Sequence, residues 1–258
     1  RALQSAMPKL LTNGSKTPGS SLTAATLPAG WVSTGEYLGT GTGNDGSPNS
    51  ILSVPVVTSS VANANFGIEQ LPDSNPASAS YTNPGGTNQV TAPTLSGSDP
   101  EDVNLGSGNT LVITTLASNG TLYYNGSPVT LGQTISSYNP SLLTVDPNDG
   151  AVTVTFQFAF VDAAGKQDPI PATATLTFSD LTITGNIYDD ANGLSNSAVD
   201  GSGTNAGNTI YANLVNASNL VEASVAVASG GTFSFGTANG VRINTSYNII
   251  LTNGSTSV

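Results

Sequence analysis

The ten residues 151–160 constrain this chain most. Within them Val152, Val154, Phe156, Phe158 and Phe160 alternate with Thr153, Thr155, Gln157 and Ala159. A period of two places the first set on one face and the second on the other, which is the signature of a half-buried strand. Two more segments follow the same rule, Thr110-Leu111-Val112-Ile113-Thr114-Thr115-Leu116 and Ala172-Thr173-Ala174-Thr175-Leu176-Thr177-Phe178. Asn119-Gly120 and Asn125-Gly126 lie between them, and such pairs accept positive φ at low cost and signal hairpins. Asp146-Pro147-Asn148-Asp149-Gly150 predicts a further hairpin turn. Ser, Thr, Asn, Gly and Val dominate the rest, and they disfavour helix interiors. Strands separated by turn signals every 8–12 residues or so predict an all-β sandwich. The alternating threonines read as its solvated face.

Charge and composition exclude several chemistries. The 258 residues carry 5 Lys plus Arg and 16 Asp plus Glu, a net charge of −11, with no His and no Cys. Zinc sites, Ser-His-Asp triads, thiol nucleophiles, haem and iron–sulfur ligation are therefore excluded. So are disulfides. Five basic residues cannot make the cationic footprint that nucleic acid requires, so no nucleic-acid partner is expected. No apolar run is long enough to span a bilayer, so no membrane insertion is expected. Arg1-Ala2-Leu3-Gln4 lacks the apolar core of a signal peptide and reads as an internal start within a longer chain.

A boundary falls at Pro72-Asp73-Ser74-Asn75-Pro76, and another at Ser179-Asp180. They predict three units: residues 1–75, a complete sandwich at 76–180, and residues 181–258. The flanks are related. Leu11-Thr12-Asn13-Gly14-Ser15 recurs as Leu251-Thr252-Asn253-Gly254-Ser255, an offset of 251 − 11 = 240, and Leu3 and Leu10 fall on Ile243 and Ile250. The chain thus reads as slightly more than one period of an array. A whole flank module would run like 182–258 continued by 19–75, with neither half complete by itself.

Several phrases carry a resemblance. Ser96-Gly97-Ser98-Asp99-Pro100-Glu101-Asp102, Leu116 through Gly126, Tyr138-Asn139-Pro140 and Phe160-Val161-Asp162-Ala163-Ala164-Gly165 resemble the cadherin-like or Ig-like repeats of giant bacterial surface adhesins. Gly185-Asn186-Ile187-Tyr188-Asp189-Asp190-Ala191-Asn192-Gly193, with Val199-Asp200-Gly201, resembles the Cna-B or SdrD-B β-sandwich of surface stalks. Leu27 through Glu36 and Asn65 through Gln70 look like the repeat regions of Bacteroidota gliding-motility adhesins. The resemblance implies an elongated array of tandem β-sandwiches. Residues 1–75 would be the C-terminal portion of one Cna-B-like module, and 181–258 the N-terminal portion of the next. It further implies export by type IX secretion, an extracellular cell-surface location, and a non-enzymatic role in attachment and gliding motility. The implied partners are neighbouring modules, the secretion and motility machinery, and a surface polysaccharide or solid substratum.

Two acidic clusters are candidate Ca²⁺ sites, since hard cations take oxygen ligands from turn-rich loops. Asp189, Asp190, Asn192 and Asp200 form one; its plainer reading is turn capping. Asp99, Glu101 and Asp102 form the other. The resemblance places such acids near a module junction, completed by an Asp from a distant loop, for which Asp162 and Asp168 qualify. Family members often carry Gly after this cluster, whereas this chain has Val103; an Asp-Pro turn at the sandwich edge is the plainer reading. Lys9, Lys16 and Lys166 do not lie where a Lys–Asn cross-link would need them. Trp31 reads as a packing residue. Two other functions stay open: a polysaccharide-binding module, which an exposed patch of Tyr123, Tyr124 and Tyr138 would favour, and an accessory sandwich of a secreted enzyme.

Overall fold

The computed structural model describes residues 16, 19, 21–22 and 24–254. Lys9, the 11–15 copy of the repeated phrase and Ser255 lie outside the described residues. The chain is all-β. In order it forms β1 (Trp31–Leu38), β2 (Ala64–Gln70), β3 (Asp73–Asn75), β4 (Ala77–Thr82), β5 (Val90–Thr91), β6 (Ser96–Asp99), β7 (Val103–Leu105) and β8 (Thr110–Thr115). Then come β9 (Gly120–Tyr124), β10 (Ser127–Pro128), β11 (Thr134–Ile135), β12 (Leu143–Pro147), β13 (Val152–Val161) and β14 (Ala172–Ser179). The last group is β15 (Ile183–Asn186), β16 (Tyr188–Asp189), a one-turn helix α1 (Gly193–Asn196), β17 (Ser202–Gly203), β18 (Tyr211–Val215), β19 (Val221–Ala226), β20 (Thr232–Phe235) and β21 (Asn248–Thr252). No helix among the described residues is long and apolar enough to cross a membrane.

The central strands make two facing sheets, β11-β8-β13-β14-β4 and β10-β9-β12-β5, with a small β3-β6-β7 sheet at one side. β13 lies in the middle of the larger sheet. Its Val154, Phe156, Phe158 and Phe160 are buried together with Leu111, Ile113 and Leu176 from neighbouring strands and Leu122, Leu143 and Val145 from the opposite sheet. Burying each such side chain contributes about 1.5–3 kcal/mol, so this one strand supplies much of the core. Phe158 and Phe160 meet edge-to-face at 5.8 Å, a favoured aromatic geometry. Thr153 and Thr177, paired across β13 and β14, face solvent.

β4 runs parallel to β14, Ala77 beside Ala174 and Thr82 beside Ser179. The starts of both strands therefore share one end of the sandwich, and their ends share the other. This sets where the flanking segments attach.

Of the predicted turns, Asn125-Gly126 forms as expected, both residues at positive φ between β9 and β10. Two others differ. Asn119 has φ +52°, but Gly120 already opens β9, because β8 and β9 belong to opposite sheets. A Cβ on Gly120 would stand 2.6 Å from the Asp146 carbonyl oxygen, so close backbone packing is what requires glycine there. Likewise Asp146 and Pro147 lie within β12, and the chain crosses at 148–151 to β13 in the other sheet. It is a sheet-to-sheet crossover and not a hairpin.

After Asp180 a second core forms from Ala212, Leu214, Val227, Phe235 and Val241. One layer is β19-β18-β21 and the other is β15-β20, with a β16-β17 ribbon beside them. The segment before Leu71 is different. There β1 and β2 pair as a hairpin, and its only buried side chains among the described residues are Glu36 and Glu69. Trp31 is half-buried on that hairpin, opposite Gln70.

Candidate functional site

The central sandwich meets its neighbours in sequence at both ends of β4 and β14. At the first end, β6 and β7 turn through Pro100, Glu101 and Asp102. Asp99 Oδ1 accepts the backbone N–H of Glu101 at 2.9 Å and of Asp102 at 2.8 Å. That is the turn-capping role of an Asx residue. The next residue, Val103, takes φ +68°, a region that a β-branched residue enters only under strain. It is the position at which glycine was expected by resemblance.

Turn capping uses only some of the acidic chemistry. Asp99 is 3% exposed, yet its Oδ2 is buried with no partner. Asp162 Oδ1 accepts the Lys166 N–H at 2.7 Å, but its Oδ2 is likewise buried and unpartnered. Glu69, arriving on β2 from the preceding segment, buries Oε1 in the same condition. Burial, and then the nearby Asp162, push the Glu69 carboxyl above its usual range, with Asp99 and Glu101 adding to the effect and Lys166 opposing it. Glu101 is exposed and accepts the Gln70 N–H at 3.2 Å. Asp102 Oδ2 accepts the Ala163 N–H at 2.7 Å.

Asp168, the alternative to Asp162, is spent elsewhere. Its Oδ2 accepts the Ser74 N–H and its Oδ1 the Ile170 N–H, each at 2.7 Å. It fastens β3 to the sandwich. Asp162 is therefore the acid with a free oxygen, and Glu69 is the member that sequence reasoning missed. Its position just before the 72–76 boundary was the available signal. Among the described residues no three acidic side chains are gathered into a ready-made metal shell. Three buried carboxylate oxygens, from Glu69, Asp99 and Asp162, nevertheless lack the hydrogen bonds that burial demands.

The other acidic cluster does not converge in this way. Asp189 and Asp200 are exposed, and Asn192 caps α1 without a side-chain hydrogen bond. Asp190 Oδ2 receives a long contact, 3.4 Å, from the Asp200 N–H. A Cβ on Gly193 would stand 2.3 Å from that Oδ2, so glycine makes room for the carboxylate. Asp190 Oδ1 is buried without a partner. One carboxylate is thus poised there, where four ligands were expected.

The second end is built from hydrogen bonds. Asn83 is fully buried and donates through Nδ2 to the Asn148 and Gly150 carbonyls at 2.8 and 2.7 Å. Thr237, 0% exposed, accepts the Gly150 N–H at 2.6 Å and donates its hydroxyl to Asp180 Oδ1 at 2.7 Å. The Ile243 N–H donates to the Pro84 carbonyl at 3.0 Å. Every polar group named here has its partner inside the protein, in contrast to the first end.

The tyrosine patch does not form. Tyr138 is in the core, its hydroxyl accepting the Leu95 N–H at 3.2 Å, and Tyr123 and Tyr124 are half-buried. No protein family, no curated protein and no solved structure matches this chain.

Proposed function

We propose that this chain is a stalk segment of a large secreted surface adhesin, in which β-sandwich modules stand end to end and the work is mechanical. The observation that carries this is the placement of the two junctions. Glu69, Glu101 and Asp168 lie at the start of β4 and β14, while Asn83, Thr237 and Pro84 lie at their end. A module entered at one end and left at the other transmits tension along its strands, over about 20 Å for six residues. The low charge of the surface supports an exposed, non-sticking role.

Calcium belongs to this proposal. Glu69, Asp99 and Asp162 would hold it, with Glu101 and Asp102 beside them, and it would neutralise carboxylates that two segments bring together. Stiffness at that junction would then depend on the ion. The cell-surface location, the export route and the contact with a polysaccharide or solid substratum follow from the resemblance to gliding-motility adhesins. No reacting group is required.

Small-angle X-ray scattering of the chain with Ca²⁺ tests the array. The expected pair-distance distribution is that of a rod, skewed with a long tail. A symmetric, compact distribution overturns the stalk.

A further inference from the structure

We infer that the segment after Asp180 is an open sandwich, and that the piece which closes it is the β1–β2 hairpin of a second copy of this sequence. The open side is visible at β21. Ile249 pairs with Leu214 and Leu251 with Ala212. Directly opposed residues share a face, and Leu214 and Ala212 are fully buried in the second core. Leu251 therefore points from the core face of its sheet, yet it is 48% exposed. The cause is the layer opposite, where β15 and β20 are two strands facing the three of β19-β18-β21. Ile249 is packed in part against the core, but Leu251, further along the third strand, is left half exposed.

The hairpin has the complementary defect. Its register puts Trp31, Leu38, Phe66 and Ile68 on one face. None of the four is buried, and Phe66 is 54% exposed. The loop bearing Asn49 and Ser50 crosses this face at Glu36, whose carboxylate accepts both backbone N–H groups. The rest is an apolar surface without a core behind it, and two strands alone are only marginally stable in water.

The repeated phrase says which occupant fits. Leu251-Thr252, the end of β21, recurs as Leu11-Thr12, and the hairpin begins at Trp31, some twenty residues further on. In the sequence period, this hairpin is therefore the first element after β21 among the described residues. Set beside β15 and β20 it makes a four-strand layer and lays its apolar face over Leu251 and Ile249. Each copy thereby donates strands to close its predecessor, and adjoining copies are joined through a shared core. The inference deepens the stalk proposal and depends on its array.

The test extends the full chain. At the offset of 240, Val258 falls on Pro18, so residues 19–75 are appended after Val258. Trp31→Phe in the original hairpin leaves the appended tryptophan as the single reporter. The expected result is a blue-shifted emission relative to the unextended chain, with at least tenfold slower amide hydrogen exchange across β21. Leu251→Asp in the extended chain should cancel both changes, and a scrambled extension should produce neither. Unchanged emission and unchanged exchange overturn the inference. So does equal protection from the scrambled extension. Scattering on the same samples separates the two failures: a rod with an unprotected β21 sinks strand donation alone, whereas a compact particle sinks the array.

Discussion

Gly85 backs directly onto Val241: a Cβ added to the glycine would stand 2.2 Å from the Val241 carbonyl oxygen. Gly85 also has φ +74°. Glycine is required here both by its own conformation and by a backbone from beyond Asp180. Gly126 provides a control, with φ +76° and nothing within 4 Å of an added methyl group. Gly126→Ala should cost the conformational term alone, about 1–2 kcal/mol. Gly85→Ala should cost clearly more, by a further 1–3 kcal/mol or so of overpacking. Urea unfolding of both variants checks this, and equal losses would mean that the second junction is not rigidly packed.

Val103 offers the reverse case, since its strain at φ +68° is relieved by residues that tolerate the left-handed region. The side chain is exposed, so removing it forfeits little packing. Val103→Gly should stabilise the chain by about 1 kcal/mol, the relief of strain being partly offset by glycine's backbone entropy. Val103→Asn should gain at least as much, because asparagine reaches this region without that entropy. Thermal unfolding reads both.

The first junction should respond to calcium. Excess Ca²⁺ should raise the melting temperature and EDTA should reverse it; at one hundred times the dissociation constant the gain is about 2.7 kcal/mol. Glu69→Gln and Asp162→Asn should each blunt the response, since each removes a carboxylate with an unpartnered buried oxygen. Asp168→Asn should lower stability while leaving the response in place, because both Asp168 oxygens are occupied by backbone N–H groups. A melting temperature indifferent to Ca²⁺ would remove the ion from the proposal.

These residues also show what the sequence could and could not disclose. β13 was legible because one strand, half buried in one sandwich, carries its whole pattern within ten consecutive residues. Phe156, Phe158 and Phe160 are all in the core as the alternation requires. Asp99 was legible as a turn acid, since Asx capping is local. Its second oxygen was not, for burial comes from partners far along the chain. Glu69 was overlooked because the acids it approaches lie on the far side of a boundary. The crossovers at 116–119 and 148–151 read as hairpins in the sequence for the same reason: turn chemistry fixes φ locally, but whether the next strand joins the same sheet or the opposite one depends on the fold. Nor could the 189–200 cluster be judged from spacing, because ligand spacing and turn-capping spacing coincide.

Glu36 predicts an acid-sensitive hairpin. Its carboxylate accepts the Ser33 hydroxyl at 2.6 Å and the Asn49 N–H at 3.0 Å, and it also accepts the Ser50 N–H. The Ser33 bond acts most strongly to hold the Glu36 carboxyl below its usual value, burial opposes it, and the Ser50 and Asn49 bonds assist. A carboxyl depressed in the folded state binds its proton more weakly there than in the unfolded chain. Its contribution is therefore complete above the ordinary glutamate value and is lost as pH falls through the lower, folded value. Acidification below about pH 4 should release the loop at Asn49 and Ser50 from β1. Trp31, at the start of the same strand, should report this as a reversible change in emission, while the buried β13 core stays protected. Glu36→Gln should remove the acid transition and leave the loop loosened at neutral pH. A wild-type titration that is flat between pH 6 and 3 would show that the Glu36 bonds do not hold the hairpin together.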